Sequence, residues 1–119
     1  MKYVETVRTN GKKNILKFPD HYVAMPVTVS DVGVSANADG KKIVPAGTII
    51  GGGFLTSLTT PAVKTNATGA EGVLFDDVDV TYGPAAGAAI LHGFIALDKL
   101  PEAPAAAAKT ELNMIKFIK

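Results

Sequence analysis

Apolar and polar residues alternate over residues 77–82, a pattern that predicts a strand. Val78, Val80 and Tyr82 are separated by acidic or hydroxyl residues, which is the period of two of a half-buried strand. The stretch 88–97 is the most apolar in the chain, and its ten residues are too few for a membrane-spanning helix. We expect it to form a strand that is buried on both faces.

Shorter strands are predicted between residues that favour turns. Residues 21–30 are rich in β-branched side chains, and Pro26 indicates a bend or an edge strand there. Residues 42–44 and 48–50 predict two short strands, separated by a Pro-Ala-Gly turn. The run 55–70 is rich in Thr, with Ser, Asn and Gly, and is predicted to be a surface loop.

A helix is predicted only near the C-terminus. Residues 82–87 are typical of a turn, whereas 105–112 have high helix propensity. Pro101 and Pro104 are expected in the first turn of that helix, where the missing N–H is tolerated. Residues 114–118 alternate again and predict a closing strand.

Together these elements predict a mainly β (α+β) fold with one short C-terminal helix. A chain of 119 residues is the usual size of one domain, and we expect a small β-barrel or sandwich-like domain over residues 21–119. Residues 1–20 are predicted to form an extended N-terminal arm, attached to the domain through Ile15, Leu16 and Phe18.

The composition indicates a thin core. Aromatic residues are 7% of the chain and Trp is absent, while Ala, Val and Gly are abundant. Small side chains bury little area each, so we expect a partner to cover part of the apolar surface.

Charge is unevenly distributed although the formal net charge is only +1. Residues 1–20 are basic, and no basic residue lies between Lys64 and Lys99, a region that is acidic. This contrast favours docking to two different surfaces, while two solvated faces of different charge would show the same pattern. With so small a net charge, we expect no nucleic-acid partner.

Residue types and spacings characteristic of catalysis are missing from the sequence. There is no cysteine, neither histidine has a metal-ligating residue three or four positions later, and no Gly-x-Ser-x-Gly motif is present. Asp77 as the first residue of a calcium loop would require glycine and glutamate where Tyr82 and Ala88 stand. The triple glycine 51–53 lacks the Lys-Ser or Lys-Thr of a phosphate-binding loop. We therefore expect no enzyme activity and no cofactor, and we interpret His92 as a hydrogen-bonded residue of a sheet or an interface.

Four segments carry a resemblance to a known family. Residues 38–48, 71–81, 91–101 and 115–118 resemble recurring segments of the head decoration and head fibre proteins of tailed bacteriophages, a group that includes the lambda-like decoration proteins. The resemblance covers roughly 38–119. It implies a β-rich domain on the outer surface of the virion capsid, bound to the major capsid protein and often arranged as a homotrimer. It transfers no catalytic residue, and the Pro-rich arm of the lambda-like proteins is replaced here by a basic one.

From this we expect a capsid decoration protein that stabilises the assembled head. The chain starts without the apolar segment of a signal peptide, so we expect it to be made in the host cytoplasm, with no membrane partner. The alternatives are a tail or head-completion protein, a small β-barrel module that binds carbohydrate or peptide, and, as a third, a hydrolase. The predicted capsid-binding residues are basic residues of the arm: Lys2, Arg8, Lys12, Lys13 and Lys17. The predicted subunit-contact residues are Asp76, Asp77, Asp79 and His92.

Overall fold

Eight strands and one short α-helix form the described part of the computed structural model, residues 15–57 and 59–119. The elements are β1 (Val23–Val29), β2 (Ile43–Val44), β3 (Ile49–Gly51), β4 (Val63–Lys64), β5 (Ala70–Leu74), β6 (Val78–Asp79), β7 (Ala85–Ala96), α1 (Ala106–Glu111) and β8 (Ile115–Ile118). A 3-10 turn, Leu97–Lys99, follows β7. The fold is mainly β with one short helix near the C-terminus, which confirms the predicted fold class.

The long strand β7 is the centre of the main sheet. The strand order is β1-β7-β5-β3-β4, all antiparallel, and β8 adds to β7 in parallel. Val29 at the end of β1 also forms a bridge with Ala62, just before β4. The Ala62 N–H donates to the Thr28 carbonyl at 2.7 Å, and the Ser30 N–H donates to the Ala62 carbonyl at 2.8 Å. This bridge joins the two outer strands, so the order of strands closes into a small barrel.

Neighbouring residues of the central strands are buried on opposite faces of the sheet. Ala89 and Ile90 are both fully buried but belong to different hydrophobic clusters. Successive side chains of a strand point to opposite faces, so β7 needs apolar residues at consecutive positions. This explains why the stretch 88–97 is apolar without alternation, as predicted for a strand buried on both faces.

Different elements cover the two faces. One cluster is completed by Ala108 of α1, Ile115 of β8 and Ile15. The other contains the fully buried Phe54 and is completed by the two-stranded sheet of β2 and β6, which contributes Val78. The core is therefore made of many small contributions from distant segments, in keeping with the scarcity of large side chains.

The attachment predicted at the end of the arm is present through two of its three residues. Ile15 and Leu16 are buried, and Leu16 forms a bridge with Ile95 of β7. Phe18, by contrast, is 50% exposed.

Several sequence predictions need correction around the loops. The predicted surface loop 55–70 contains β4 and the fully buried Ala62, because this segment closes the barrel. Tyr82 was expected on the buried side of a strand but is fully exposed, since β6 ends at Asp79. The predicted turn 82–87 ends early, because β7 begins at Ala85 in order to pair with β1.

The helix is shorter than predicted. It begins after Ala105 and ends at Glu111, so Pro101 and Pro104 precede it and do not form its first turn. The Ala105 N–H donates to Asn66 Oδ1 at 2.8 Å, and this contact with a distant loop holds the chain where the helix begins.

Candidate docking surface

A six-residue loop that stands opposite only two residues of β7 shapes one surface of the molecule. Leu16 is opposite Ile95 and Val23 is opposite His92, so residues 17–22 span a distance that β7 covers with two residues. The inserted loop folds back over β7, where a Cβ atom at Gly93 would lie 3.3 Å from the Cβ of Tyr22.

The aromatic side chains of this loop stack on side chains of the sheet. The ring of Phe18 packs edge-on against Phe94 at 5.4 Å between centroids, and Tyr22 packs on Phe75 at 5.3 Å. The ring of His21 lies 5.9 Å from that of Phe94 and 5.1 Å from that of His92. We call this set the aromatic–histidine patch: Phe18, His21, Tyr22, Phe75, His92 and Phe94.

The three loop residues of the aromatic–histidine patch are exposed, whereas Phe75, His92 and Phe94 are half-buried. Phe18 is 50% exposed and Tyr22 is 40% exposed, and the neighbouring Val23 and Met114 are also exposed. The chain has five Phe, three Tyr and no Trp, so this patch holds half of its aromatic residues. Aromatic side chains are enriched in protein interfaces, and an exposed group of them in a chain with so few is typical of a docking surface.

The two histidines meet in the patch although 71 residues separate them in the sequence. His92 Nδ1 lies 2.8 Å from the carbonyl oxygen of Met114. A carbonyl only accepts, so Nδ1 carries the proton and the Nε2 atom of neutral His92 is left as an acceptor. That Nε2 lies 3.2 Å from the Nε2 of His21. His92 is thus a hydrogen-bonded residue of a sheet, as we interpreted it, with a partner that no local spacing rule would have found.

The acidic segment of the predicted subunit contact uses its carboxylates within the chain. Asp77 Oδ1 accepts the Ala46 N–H at 2.7 Å, which connects β6 to the turn after β2. Asp79 Oδ1 accepts both the hydroxyl and the backbone N–H of Thr81. These hydrogen bonds, with the charge of Lys41, lower the pKa of Asp79 from its ordinary value of 3.8. Asp76 is partly buried.

The structure does not bring the acidic segment together with His92. Val78 of β6 lies next to Gly87, where an added Cβ would be 2.8 Å from its Cγ2 atom. Gly87 and His92 are five residues apart on β7, roughly 16 Å at the usual rise of a strand. Of the predicted capsid-binding residues, Lys17 is exposed beside Phe18, and the other four, Lys2, Arg8, Lys12 and Lys13, lie outside the described residues.

The triple glycine forms a turn whose N–H groups could bind an anion, but a carboxylate of the same chain already accepts them. Gly52 and Gly53 have φ angles of 109° and 106°, which only glycine adopts readily. Glu71 Oε1 accepts the N–H of Gly53 at 2.7 Å and that of Phe54 at 2.9 Å. The donors that could have bound a phosphate are therefore occupied by a carboxylate of β5.

One cleft of about 240 Å³ is lined by Val29, Val44, Ile50, Lys64 and Asn66 among others. Two more open clefts have volumes of about 370 and 400 Å³, and the second of these lies beside His92, Phe94 and Met114. In residues 15–57 and 59–119, no group of three or more His, Cys, Asp or Glu side chains is placed to hold a metal ion. No helix in this part of the chain is long and apolar enough to cross a membrane.

Sequence reasoning missed the aromatic–histidine patch. The sequence predicts Phe18 in the arm, His21 and Tyr22 in the β-branched segment 21–30, and Phe94 in the buried stretch 88–97. The one signal was that two short segments, 18–22 and 92–94, together hold both histidines and three of the eight aromatic residues. The sequence matches no model of a known protein family and no curated protein.

Proposed function

We propose that this chain is a decoration subunit of a tailed-phage head, which binds the outer surface of the assembled capsid. The observation that carries the proposal is the exposed aromatic–histidine patch, a docking surface on a small β domain. The resemblance of residues 38–119 to phage head proteins supports a capsid as the partner.

The patch and the basic arm form one continuous binding region in this proposal. Lys17 is exposed and directly precedes Phe18, so the segment with the basic residues leads into the patch. In such an arrangement the arm increases the rate of encounter with an acidic shell surface, because charge acts over a distance set by the ionic strength. The aromatic residues supply the contacts that persist at high salt, because apolar burial is not screened.

The proposal includes a homotrimer on the capsid. The subunit-contact residues are then Asp76, Asp77 and Asp79. This acidic segment lies roughly 16 Å along β7 from His92, so the aromatic–histidine patch stays available to bind the shell. His92, a predicted subunit-contact residue, belongs to the shell-facing surface in this arrangement. A density map of decorated particles tests this point: three copies in contact around a threefold position are expected, and isolated copies that touch only the shell would contradict the trimer.

The capsid-binding test uses purified undecorated heads and co-sedimentation. The double variant Phe18→Ser/Tyr22→Ser removes two exposed aromatic rings and should weaken binding by at least tenfold, because each ring would bury apolar area against the shell. The matched control is Tyr82→Ser, which removes a fully exposed tyrosine outside the patch and should bind like the wild type. Equal binding by the patch variant, with both variants folded, would remove the patch from the interface.

A tail or head-completion protein is the competing structural role. It would assemble into rings of sixfold symmetry without capsids, which negative-stain images of the purified chain would reveal. Binding to heads without such rings supports decoration.

A further inference from the structure

We propose that His21 and His92 form a two-histidine binding site for a divalent transition-metal ion, with Zn²⁺ as the ion we assign to it. The inference does not depend on the proposed capsid role. It starts from the distance of 3.2 Å between the two Nε2 atoms.

This distance is the one that a shared metal ion requires. Zinc–imidazole bonds are about 2.0–2.1 Å long, so two nitrogens 3.2 Å apart would subtend an angle of about 103° at the ion. A tetrahedral site has angles of about 109°, so the distance between the two nitrogens needs to change little when an ion binds. The ring centroids lie 5.1 Å apart and the ring planes are inclined at 73° to one another.

His92 is already held in the form that binds metal. Histidine ligands usually donate the other ring N–H to a carbonyl or carboxylate, which fixes the tautomer and the ring orientation. The Nδ1 of His92 donates to the Met114 carbonyl at 2.8 Å, so its Nε2 lone pair is available. Binding requires His21 to move its proton from Nε2 to Nδ1, an exchange through solvent that releases no net proton.

The chemistry of the pair selects borderline ions over hard ones. Imidazole nitrogen suits Zn²⁺, Cu²⁺ and Ni²⁺, whereas Mg²⁺ and Ca²⁺ prefer oxygen ligands. Two coordination positions remain for water, since no third His, Cys, Asp or Glu in the described residues joins the pair. A bound ion would connect the inserted loop, through His21, to strand β7, and so would stiffen the aromatic–histidine patch.

The experiment is a zinc titration of the untagged chain, followed by calorimetry. The chain has two histidines and no cysteine, so zinc binding that depends on imidazole groups must come from His21 and His92. We expect saturable binding of one Zn²⁺ per chain, at least tenfold weaker binding for His21→Ala or His92→Ala, and no comparable binding of Mg²⁺. His92→Ala also loses the hydrogen bond to the Met114 carbonyl. If this loss unfolds the His92→Ala variant, His21→Ala still tests the site, because His21 is exposed.

A second readout follows from mass action. An ion that binds only the folded chain raises its melting temperature, so zinc should stabilise the wild type and leave His21→Ala/His92→Ala unchanged. NMR spectra of the imidazole nitrogens should show Zn²⁺ at both Nε2 atoms while His92 Nδ1 keeps its proton. Zinc binding of equal affinity in the double variant, or no saturable binding by the wild type, would overturn the site and leave a hydrogen-bonded histidine pair only.

Discussion

Glu71 connects the glycine-rich turn to strand β5 of the main sheet through its side chain. One of its carboxylate oxygens accepts two backbone N–H groups, from Gly53 and Phe54. Phe54 is the largest fully buried side chain in the described part of the chain, so the position of its backbone affects the hydrophobic cluster that it shares with Val78. A side chain from β5 thus determines how the turn after β3 places a core residue.

Replacing Glu71 with alanine should lower the free energy of unfolding by about 2–3 kcal/mol, because two partly buried donors lose their acceptor. Glu71→Gln keeps an oxygen and should lose roughly half as much, since charge-assisted hydrogen bonds are about twice as strong as neutral ones. Urea denaturation measures both. Glu111→Ala, an exposed acidic residue of α1, is the control and should change stability by less than about 0.5 kcal/mol. An unchanged Glu71→Ala variant would show that water satisfies these donors.

Asp79 links the stability of the small sheet to pH. Its pKa is lowered in the folded chain, chiefly by the Thr81 hydroxyl, then by the Thr81 N–H, with a smaller contribution from Lys41. A depressed carboxyl pKa contributes stability above the unfolded value of 3.8, and that contribution is lost as the pH falls through the lower folded value. The effect is modest because this carboxylate is exposed and screened by water.

An NMR titration of the Asp79 carboxyl should therefore give a midpoint below 3.8 in the wild type. Thr81→Ala removes the hydroxyl, the largest cause of the shift, and should move the midpoint upward toward that value. A wild-type midpoint at or above 3.8 would contradict the hydrogen bonds to Thr81.

Among the elements, strand β1 is bridged to Ala62 only at its end, and its sequence protects the outer edge of the rest of the strand. The Thr28 carbonyl points away from β7 and accepts the Ala62 N–H. The backbone N–H and carbonyl groups of every second residue from Thr28 therefore also point away from β7. Pro26 lies two residues before Thr28, so its backbone also faces away from β7. Its partner Ala88 likewise faces away from β1, because the Ala88 carbonyl accepts the Phe75 N–H on the other side of β7. The missing N–H of Pro26 therefore costs the sheet nothing and removes a donor from the free edge.

Pro26→Val should restore that donor and extend the exposed apolar edge. We expect the variant to self-associate at lower concentrations than the wild type, with little change in unfolding free energy, because no hydrogen bond of the sheet is altered. Light scattering after size exclusion measures this as a mass that rises with concentration. Pro84→Val, in the exposed turn before β7, is the control. A variant that stays at the wild-type mass would show that the edge is protected by something other than proline.

At the scale of the whole molecule, the start of the described chain belongs to the core. Ile15 is fully buried, and its carbonyl accepts the Ala96 N–H at 2.8 Å. The Lys17 N–H donates to the Phe94 carbonyl at 2.8 Å. A truncation that tests the basic arm must therefore stop before these contacts, at residue 14.

Deleting residues 1–14 should leave the domain folded but weaken capsid binding and reduce its dependence on salt, because four of the five arm cations are lost. Deleting 1–20 should destabilise the fold severely, since removing a buried Ile or Leu side chain costs about 2–5 kcal/mol. Circular dichroism and head co-sedimentation measure the two effects. Capsid binding by the shorter truncation that equals the wild type would exclude a role for the arm.

Local pattern in the sequence was enough to predict the class of fold and several of its elements. Three patterns each predicted a strand whose ends lie within a few residues of the observed ones: the apolar stretch of β7, the β-branched residues of β1 and the alternation in β8. The position of the helix followed from alanine propensity, but its start did not, because a contact between Asn66 and Ala105 from distant parts of the chain holds the helix start.

Only the tertiary structure decided which distant residues meet. His21 and His92 come together because β1 and β7 pair in one register and the loop 17–22 is inserted between two paired positions. The same is true of Glu71, which lies 18 residues from the N–H of Gly53. Such contacts depend on strand order and register, which are set by the packing of the whole core, whereas periodicity along the chain reports only whether each position is buried or exposed.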